Sequence, residues 1–232
     1  MMSQKWTGRV AGLLYLIVVI TGIVSLAYVP SRLMVRNDTA ASIANILANE
    51  QLFRIGIAAG LICYTAFLLL PLVLHRLLAP AGRAAAAAMV ALALASVPLS
   101  LWNMHARLDL LSLLKRPEYG LSGGQLQMQA RMLLDSYSNG ILIVELFWGL
   151  WLLPLGYLMI RSRAIPRVLG AFLMLGCAGY LVDVFATLLV PGFDAMSFAP
   201  YVTTPAAIGE IGTCLWLLVM GARNVDGKST SE

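Results

Sequence analysis

The chain has 232 residues, of which 60% are apolar and only 12% are charged. Soluble domains carry about 25% charged residues, so this composition excludes an ordinary water-soluble fold. The net charge of +5 does not indicate nucleic-acid binding, because the basic residues lie between apolar runs instead of forming one patch. The composition therefore predicts a protein that resides in a lipid bilayer.

Apolar runs long enough to span a bilayer recur along the sequence, since a transmembrane helix needs about 20 mostly apolar residues. They lie near 10–29, 52–74, 84–102, 141–160, 168–190 and 205–220. We predict an all-α membrane bundle of six transmembrane helices. It forms a single domain over 1–222, and 223–232 is expected to be a flexible cytoplasmic tail.

The distribution of arginine predicts the orientation of these helices. The turns around Arg76 and over 161–167 are short and contain arginine but no acid, which is typical of cytoplasmic loops. Basic residues on the other side are interspersed with acids. We therefore expect a bacterial cytoplasmic (inner) membrane protein with both termini in the cytoplasm.

Two longer connections fall on the predicted outer side, and each carries a short helix. In the first, Asp38 is a good helix N-cap before an alanine-rich segment that ends near Ala48. In the second, which covers 103–140, a turn at Ser122 precedes a segment with apolar residues on one helical face. This segment either rests on the outer interface or leads directly into the fourth span.

Small residues and prolines mark particular positions within the spans. Pro71, Pro98 and Pro154 each remove a backbone donor and tend to kink a helix. Glycines recur at spacings that place them on one helix face, as at Gly8 and Gly12. Such faces let helices approach closely in lipid, so we interpret them as contacts inside the bundle.

Three acidic residues lie inside predicted spans: Glu145, Asp183 and Glu210. A carboxylate at the centre of a membrane helix costs about 2.5–3.5 kcal/mol on insertion scales. At about 1.5 Å per residue, all three lie at a similar depth, about 7–10 Å from the outer end of each span. Neighbours such as Gly149 and Tyr180 favour a helix interface over a lipid-facing position. The pattern predicts one polar site.

Candidate partners for these acids lie near the outer ends of other spans. Arg54 opens the second span, while Asn103, His105 and Arg107 close the third. One clearly placed arginine cannot neutralise three carboxylates. The sequence therefore predicts a bound proton, a cation, a cationic ligand or a water-filled cavity at this site. The alternative is that the acids pair with Arg54 or Arg107 and only fix the helix register. The predicted ligand- or proton-binding residues are Glu145, Asp183, Glu210, Arg54, Tyr180, Asn103 and His105.

Catalytic and metal-binding motifs do not occur in the sequence, so whether the protein is an enzyme stays open. Cys63, Cys177 and Cys214 lie in apolar runs, and we predict neither a metal site nor a cofactor. The leading hypothesis is binding or passage of a small polar or cationic species through an outward-leaning cavity. The alternatives are an intramembrane lipid-modifying enzyme that uses His105, and a non-catalytic partner or regulator. The expected partners are the bilayer and this ligand, with the chain alone or as a homodimer.

The stretch FWGLWLLPLGY at 147–157 resembles a characteristic segment of a bacterial multi-pass membrane family labelled domain of unknown function 4386. Further similar segments are RVAGLLY at 9–15, LFR at 52–54, IPRVLG at 165–170, GYL at 179–181, IGE at 208–210 and LWLL at 215–218. The resemblance implies several membrane helices in a bacterial cytoplasmic membrane. It implies no activity, substrate or catalytic residue.

Overall fold

The computed structural model describes residues 4–116 and 119–222, and all regular structure in this part of the chain is helical. The α-helices are α1 (Gln4–Gly22), α2 (Val29–Leu33), α3 (Thr39–Ala48), α4 (Glu50–Leu78), α5 (Arg83–Lys115), α6 (Gly123–Leu150), α7 (Leu152–Ser162), α8 (Arg167–Leu189) and α9 (Thr204–Met220). The predicted tail over 223–232 lies outside the described residues.

Six continuous helical segments are long and apolar enough to cross a membrane, which confirms the predicted number. They are Gln4–Leu33, Glu50–Ala81, Arg83–Lys115, Gly123–Ser162, Arg167–Leu189 and Ala199–Met220. Several of these helices extend beyond the predicted bounds. The prediction placed each bound at the end of an apolar run, whereas the helix continues into the polar residues that follow. The protein is therefore an all-α, multi-pass membrane protein.

The two predicted outer connections differ in structure. The side chain of Asp38 accepts a hydrogen bond from the backbone N–H of Ala41 at 2.8 Å and caps α3, as the sequence predicts. In the second connection, α5 continues to Lys115 and α6 begins at Gly123. The amphipathic segment after Ser122 is therefore the beginning of α6, which is the lead-in that the sequence allowed.

Two prolines coincide with breaks in regular α-helix. A π-helical turn, Ile23–Tyr28, precedes Pro30, and the N–H of Val29 donates to the carbonyl of Val24, five residues earlier. Between α6 and α7 the regular helix is interrupted at Trp151, three residues before Pro154. Since proline lacks an N–H, the carbonyl four residues before it loses its usual helical donor.

The chain forms two compact units. Among the described residues, the first comprises 4–16, 67–96 and 145–222, and the second comprises 17–66, 97–116 and 119–144. In the first unit, α8 packs against both α7 and α9.

Trp151 is buried in the core of this first unit, with 1% of its surface exposed. Its ring lies 5.0 Å from that of Phe67 in an edge-on contact and 6.3 Å from that of Tyr15. The break between α6 and α7 thus places a large aromatic side chain inside the unit.

Aromatic and polar side chains share the core of the second unit. Phe53, Arg107 and Tyr137 are buried there, and the carboxamide of Asn103 donates to the carbonyl of Tyr137 at 2.9 Å. Gly140 lies against this carboxamide, where a larger residue would collide with it. A buried hydrogen bond therefore joins the middle part of α5 to the middle of α6.

Candidate functional site

Four of the seven predicted site residues lie together in the first unit. The Tyr180 hydroxyl is within electrostatic range of all three carboxyl groups, those of Glu145, Asp183 and Glu210. Glu145 and Asp183 are also within electrostatic range of each other. We call Glu145, Tyr180, Asp183 and Glu210 the acid cluster, and each of these residues is half-buried.

A tyrosine that the sequence reasoning did not select completes this arrangement. The hydroxyl of Tyr15 on α1 donates to Oε1 of Glu210 on α9 at 3.1 Å, and Tyr15 is 1% exposed. A buried phenol usually needs a polar partner. The position of Tyr15 inside the first span was therefore the signal that pointed to it.

Glycines bring the helices of the acid cluster close together. Gly149, one turn after Glu145 on α6, lies directly against the side chain of Tyr180 on α8. Gly176, one turn before Tyr180 on α8, lies against Ala206 of α9. Gly149 and Gly176 thus lie at close contacts between helices of the first unit, as the sequence predicts for small-residue faces.

Basic side chains do not neutralise Glu145 and Glu210 of the acid cluster. In the described part of the chain, neither Glu145 nor Glu210 forms an ion pair with lysine, arginine or histidine. The donor that reaches Glu210 is the neutral phenol of Tyr15. Carboxylates that are shielded from water and lack a cation are costly. A proton or a cation bound near Glu145 and Glu210 would therefore be stabilising.

Arg54, the predicted counter-charge, lies in the second unit and has a different partner. Its Nε is 2.7 Å from Oε1 of Glu50, one helical turn earlier, and its side chain is half exposed. Lys115 Nζ lies 2.8 Å from the other oxygen of the same carboxylate. Glu50 therefore joins the beginning of α4 to the end of α5.

Asn103 and His105 also belong to the second unit, where they line an open cavity of about 610 Å³. His105 Nδ1 is 3.0 Å from a carboxylate oxygen of Asp109, and the imidazole stacks on Trp102 at 5.4 Å. These groups form an exposed polar patch that does not include a member of the acid cluster.

The described residues contain no group of three histidine, cysteine, aspartate or glutamate side chains arranged to hold a metal ion. Cys63, Cys177 and Cys214 are buried, and each belongs to the apolar interior.

A family model described as "Domain of unknown function (DUF4386)" matches residues 10–221 of the chain. Neither the curated proteins nor the solved structures that were compared with the chain match it. The match covers all six membrane-spanning helices apart from the first residues of α1, and with them every residue of the acid cluster.

Proposed function

Since the chain belongs to the DUF4386 family, whose description assigns no activity, we propose from its acid cluster that it binds or passes a small polar or cationic species. One observation carries the proposal: three carboxyl groups lie within electrostatic range of the Tyr180 hydroxyl, while Glu145 and Glu210 form no ion pair with a basic side chain among the described residues. The acids would act as counter-charges for the ligand or as carriers of a proton.

The energetic argument starts from the cost of placing acids in membrane helices. Each carboxylate at a helix centre costs about 2.5–3.5 kcal/mol on insertion scales. Glu145, Asp183 and Glu210 are drawn from three different helices, so the cost recurs three times in one region. A bound cation, a bound proton or a water-filled cavity would lower this cost. Acidic residues in membrane helices commonly mark the paths of ions, protons or substrates.

The proposal includes a location and an orientation. We place the protein in a bacterial cytoplasmic membrane with both termini in the cytoplasm, and we place an outward-leaning polar cavity beside the acid cluster. The acid-free arginine turn over 161–167 supports this orientation by the positive-inside rule.

Orientation is testable because the native cysteines are buried. Ser122→Cys and Arg163→Cys place thiols at exposed positions on opposite predicted sides. A membrane-impermeant maleimide applied to whole cells should label Ser122→Cys alone. Labelling of Arg163→Cys instead would reverse the orientation.

Function is testable with purified protein in liposomes that enclose a pH-sensitive dye. An inward tetramethylammonium gradient should change the internal pH or drive uptake of labelled tetramethylammonium. Glu210→Gln should abolish the response, and Glu145→Gln and Asp183→Asn should reduce it. Asp135→Asn is the matched control, since that carboxylate is exposed and paired with Arg131.

Ligand binding provides a second measurement of the same proposal. Tetramethylammonium should raise the unfolding midpoint of the wild-type protein and of Asp135→Asn, but not of Glu210→Gln. The proposal fails if wild-type protein shows neither transport nor a thermal shift with tetramethylammonium, guanidinium or protons.

The second candidate function is an intramembrane enzyme that acts on lipids. It rests on a separate observation, the pair formed by His105 and Asp109 at the open cavity of about 610 Å³. A carboxylate that orients an imidazole is a common arrangement for acid–base chemistry. Conversion of labelled phospholipid by the wild-type protein but not by His105→Gln would favour this function over transport.

A further inference from the structure

Arg107 in the second unit is a buried cation without a carboxylate partner. Only 8% of its surface is exposed. Its guanidinium carbon lies 4.0 Å from the ring centroid of Tyr137 and 5.6 Å from that of Phe53. In the described part of the chain, no acidic side chain forms an ion pair with it. The interpretation of Arg107 as a partner of the membrane acids therefore has no ion pair to support it.

Aromatic contacts do not fully replace the water that Arg107 loses on burial. Cation–π contacts stabilise a cation by less than the free energy that its removal from water costs, even after the protein relaxes. The guanidinium has only donors and no acceptor, so what would complete its surroundings is an anion or a water oxygen.

A small cavity lies beside the guanidinium. Its volume is about 10 Å³, which is room for about one water-sized atom, and its polar lining residues are Ser25, Arg107 and Tyr137. The rest of the lining is apolar. Each of these polar side chains carries an N–H or O–H, although the hydroxyls of Tyr137 and Tyr64 also lie within electrostatic range of the guanidinium.

The local backbone places the Ser25 hydroxyl at this cavity. Ser25 lies in the π-helical turn Ile23–Tyr28, and such turns frequently occur at functional sites. Gly60 lies against the Ser25 oxygen and the side chain of Met104, where any Cβ would collide with them. A distorted helix and a glycine therefore combine to admit one buried hydroxyl next to a buried arginine.

We infer that this cavity binds a single anion of halide size, with Arg107 as the counter-charge and Ser25 as a hydrogen-bond donor. The volume excludes a phosphate or carboxylate group, which exceeds the space of one water-sized atom, and the charge of Arg107 favours an anion over water. The site is independent of the acid cluster: it lies in the other unit, and its charge is opposite.

The test measures the unfolding midpoint of the full-length protein in detergent by circular dichroism. Sodium chloride, bromide, phosphate and gluconate are compared at equal ionic strength. Wild-type protein should unfold at a higher temperature in chloride and bromide than in gluconate, because a ligand that binds only the folded state stabilises it. Ser25→Ala should reduce this difference and Arg107→Met should abolish it.

Arg131→Met is the control, because Arg131 is exposed and pairs with Asp135 in the same unit; its halide response should equal that of the wild type. Should Arg107→Met fail to fold, the width of the ³⁵Cl nuclear magnetic resonance provides the same test. Wild-type protein should broaden this resonance, and added bromide should reverse the broadening. Ser25→Ala should broaden it less. Equal midpoints in all salts together with no broadening would assign the cavity to water and overturn the inference. Stabilisation by phosphate but not by halides would also overturn it.

Discussion

The hydroxyl of Tyr15 donates to Oε1 of Glu210 at 3.1 Å, and this hydrogen bond joins residues 195 positions apart in the sequence. Tyr15 lies on α1 and Glu210 on α9, so the contact connects the first and last helices of the chain within the first unit. It also extends the acid cluster to a residue whose ring lies 6.3 Å from that of Trp151. Tyr15 therefore contributes both to the packing of the first unit and to the proposed binding site.

Replacing Tyr15 by phenylalanine tests this contact, since the variant keeps the ring and removes only the donor. We expect a loss of about 1 kcal/mol in unfolding free energy, between the average of about 0.6 kcal/mol and the maximum of about 1.7 kcal/mol for hydrogen bonds between membrane helices. A double-mutant cycle of Tyr15→Phe with Glu210→Gln, followed by denaturant unfolding in mixed micelles, isolates the pair. Strictly additive effects would show that the two residues do not interact.

Gly149 provides a test of close helix packing at the acid cluster. A Cβ at this position would lie against the side chain of Tyr180, so Gly149→Ala must displace that residue. We expect a loss of about 1–3 kcal/mol, as for overpacked cores, and a weaker tetramethylammonium response. Gly124→Ala is the matched control in the same helix, because nothing lies within 4 Å of its added Cβ. A loss that is equal in both variants would point to a general effect of removing glycine from α6.

Helix number and the positions of the acids were predictable because both depend on local properties of the sequence. Transfer cost is a sum over neighbouring residues, so the six spans and the positions of Glu145, Asp183 and Glu210 within them follow from composition along the chain. The partner of Tyr15 was not predictable, because a contact over 195 positions depends on which helices become neighbours.

The partner of Arg54 was, by contrast, available from the sequence. Glu50 precedes it by four residues, and acidic and basic residues at that spacing pair on a helix surface. The prediction assigned Arg54 to the acids of the later spans, although Glu50 lies one helical turn before it. Arg107 is the opposite case: its aromatic surroundings come from α4 and α6, and no local pattern indicates them.

Arg54→Gln follows from this local pairing. Because the Arg54 guanidinium is bound to Glu50, we expect the variant to retain the wild-type response to tetramethylammonium in liposomes. Exposed ion pairs are screened by salt. The unfolding free energy of the variant should therefore depend less on ionic strength than that of the wild type. Loss of transport in Arg54→Gln, with Glu50→Gln unaffected, would restore Arg54 as a counter-charge of the acid cluster.

Trp151 and Trp102 allow a comparison of the same substitution in two surroundings. Trp151 is 1% exposed between the rings of Tyr15 and Phe67, whereas Trp102 is 76% exposed. Trp151→Ala should cost about 3–5 kcal/mol, because the surrounding side chains cannot fill the cavity that it leaves. Trp102→Ala removes an exposed ring that stacks on His105, and we expect a smaller loss. Unfolding in mixed micelles measures both, and equal losses would contradict the burial of Trp151 at the break between α6 and α7.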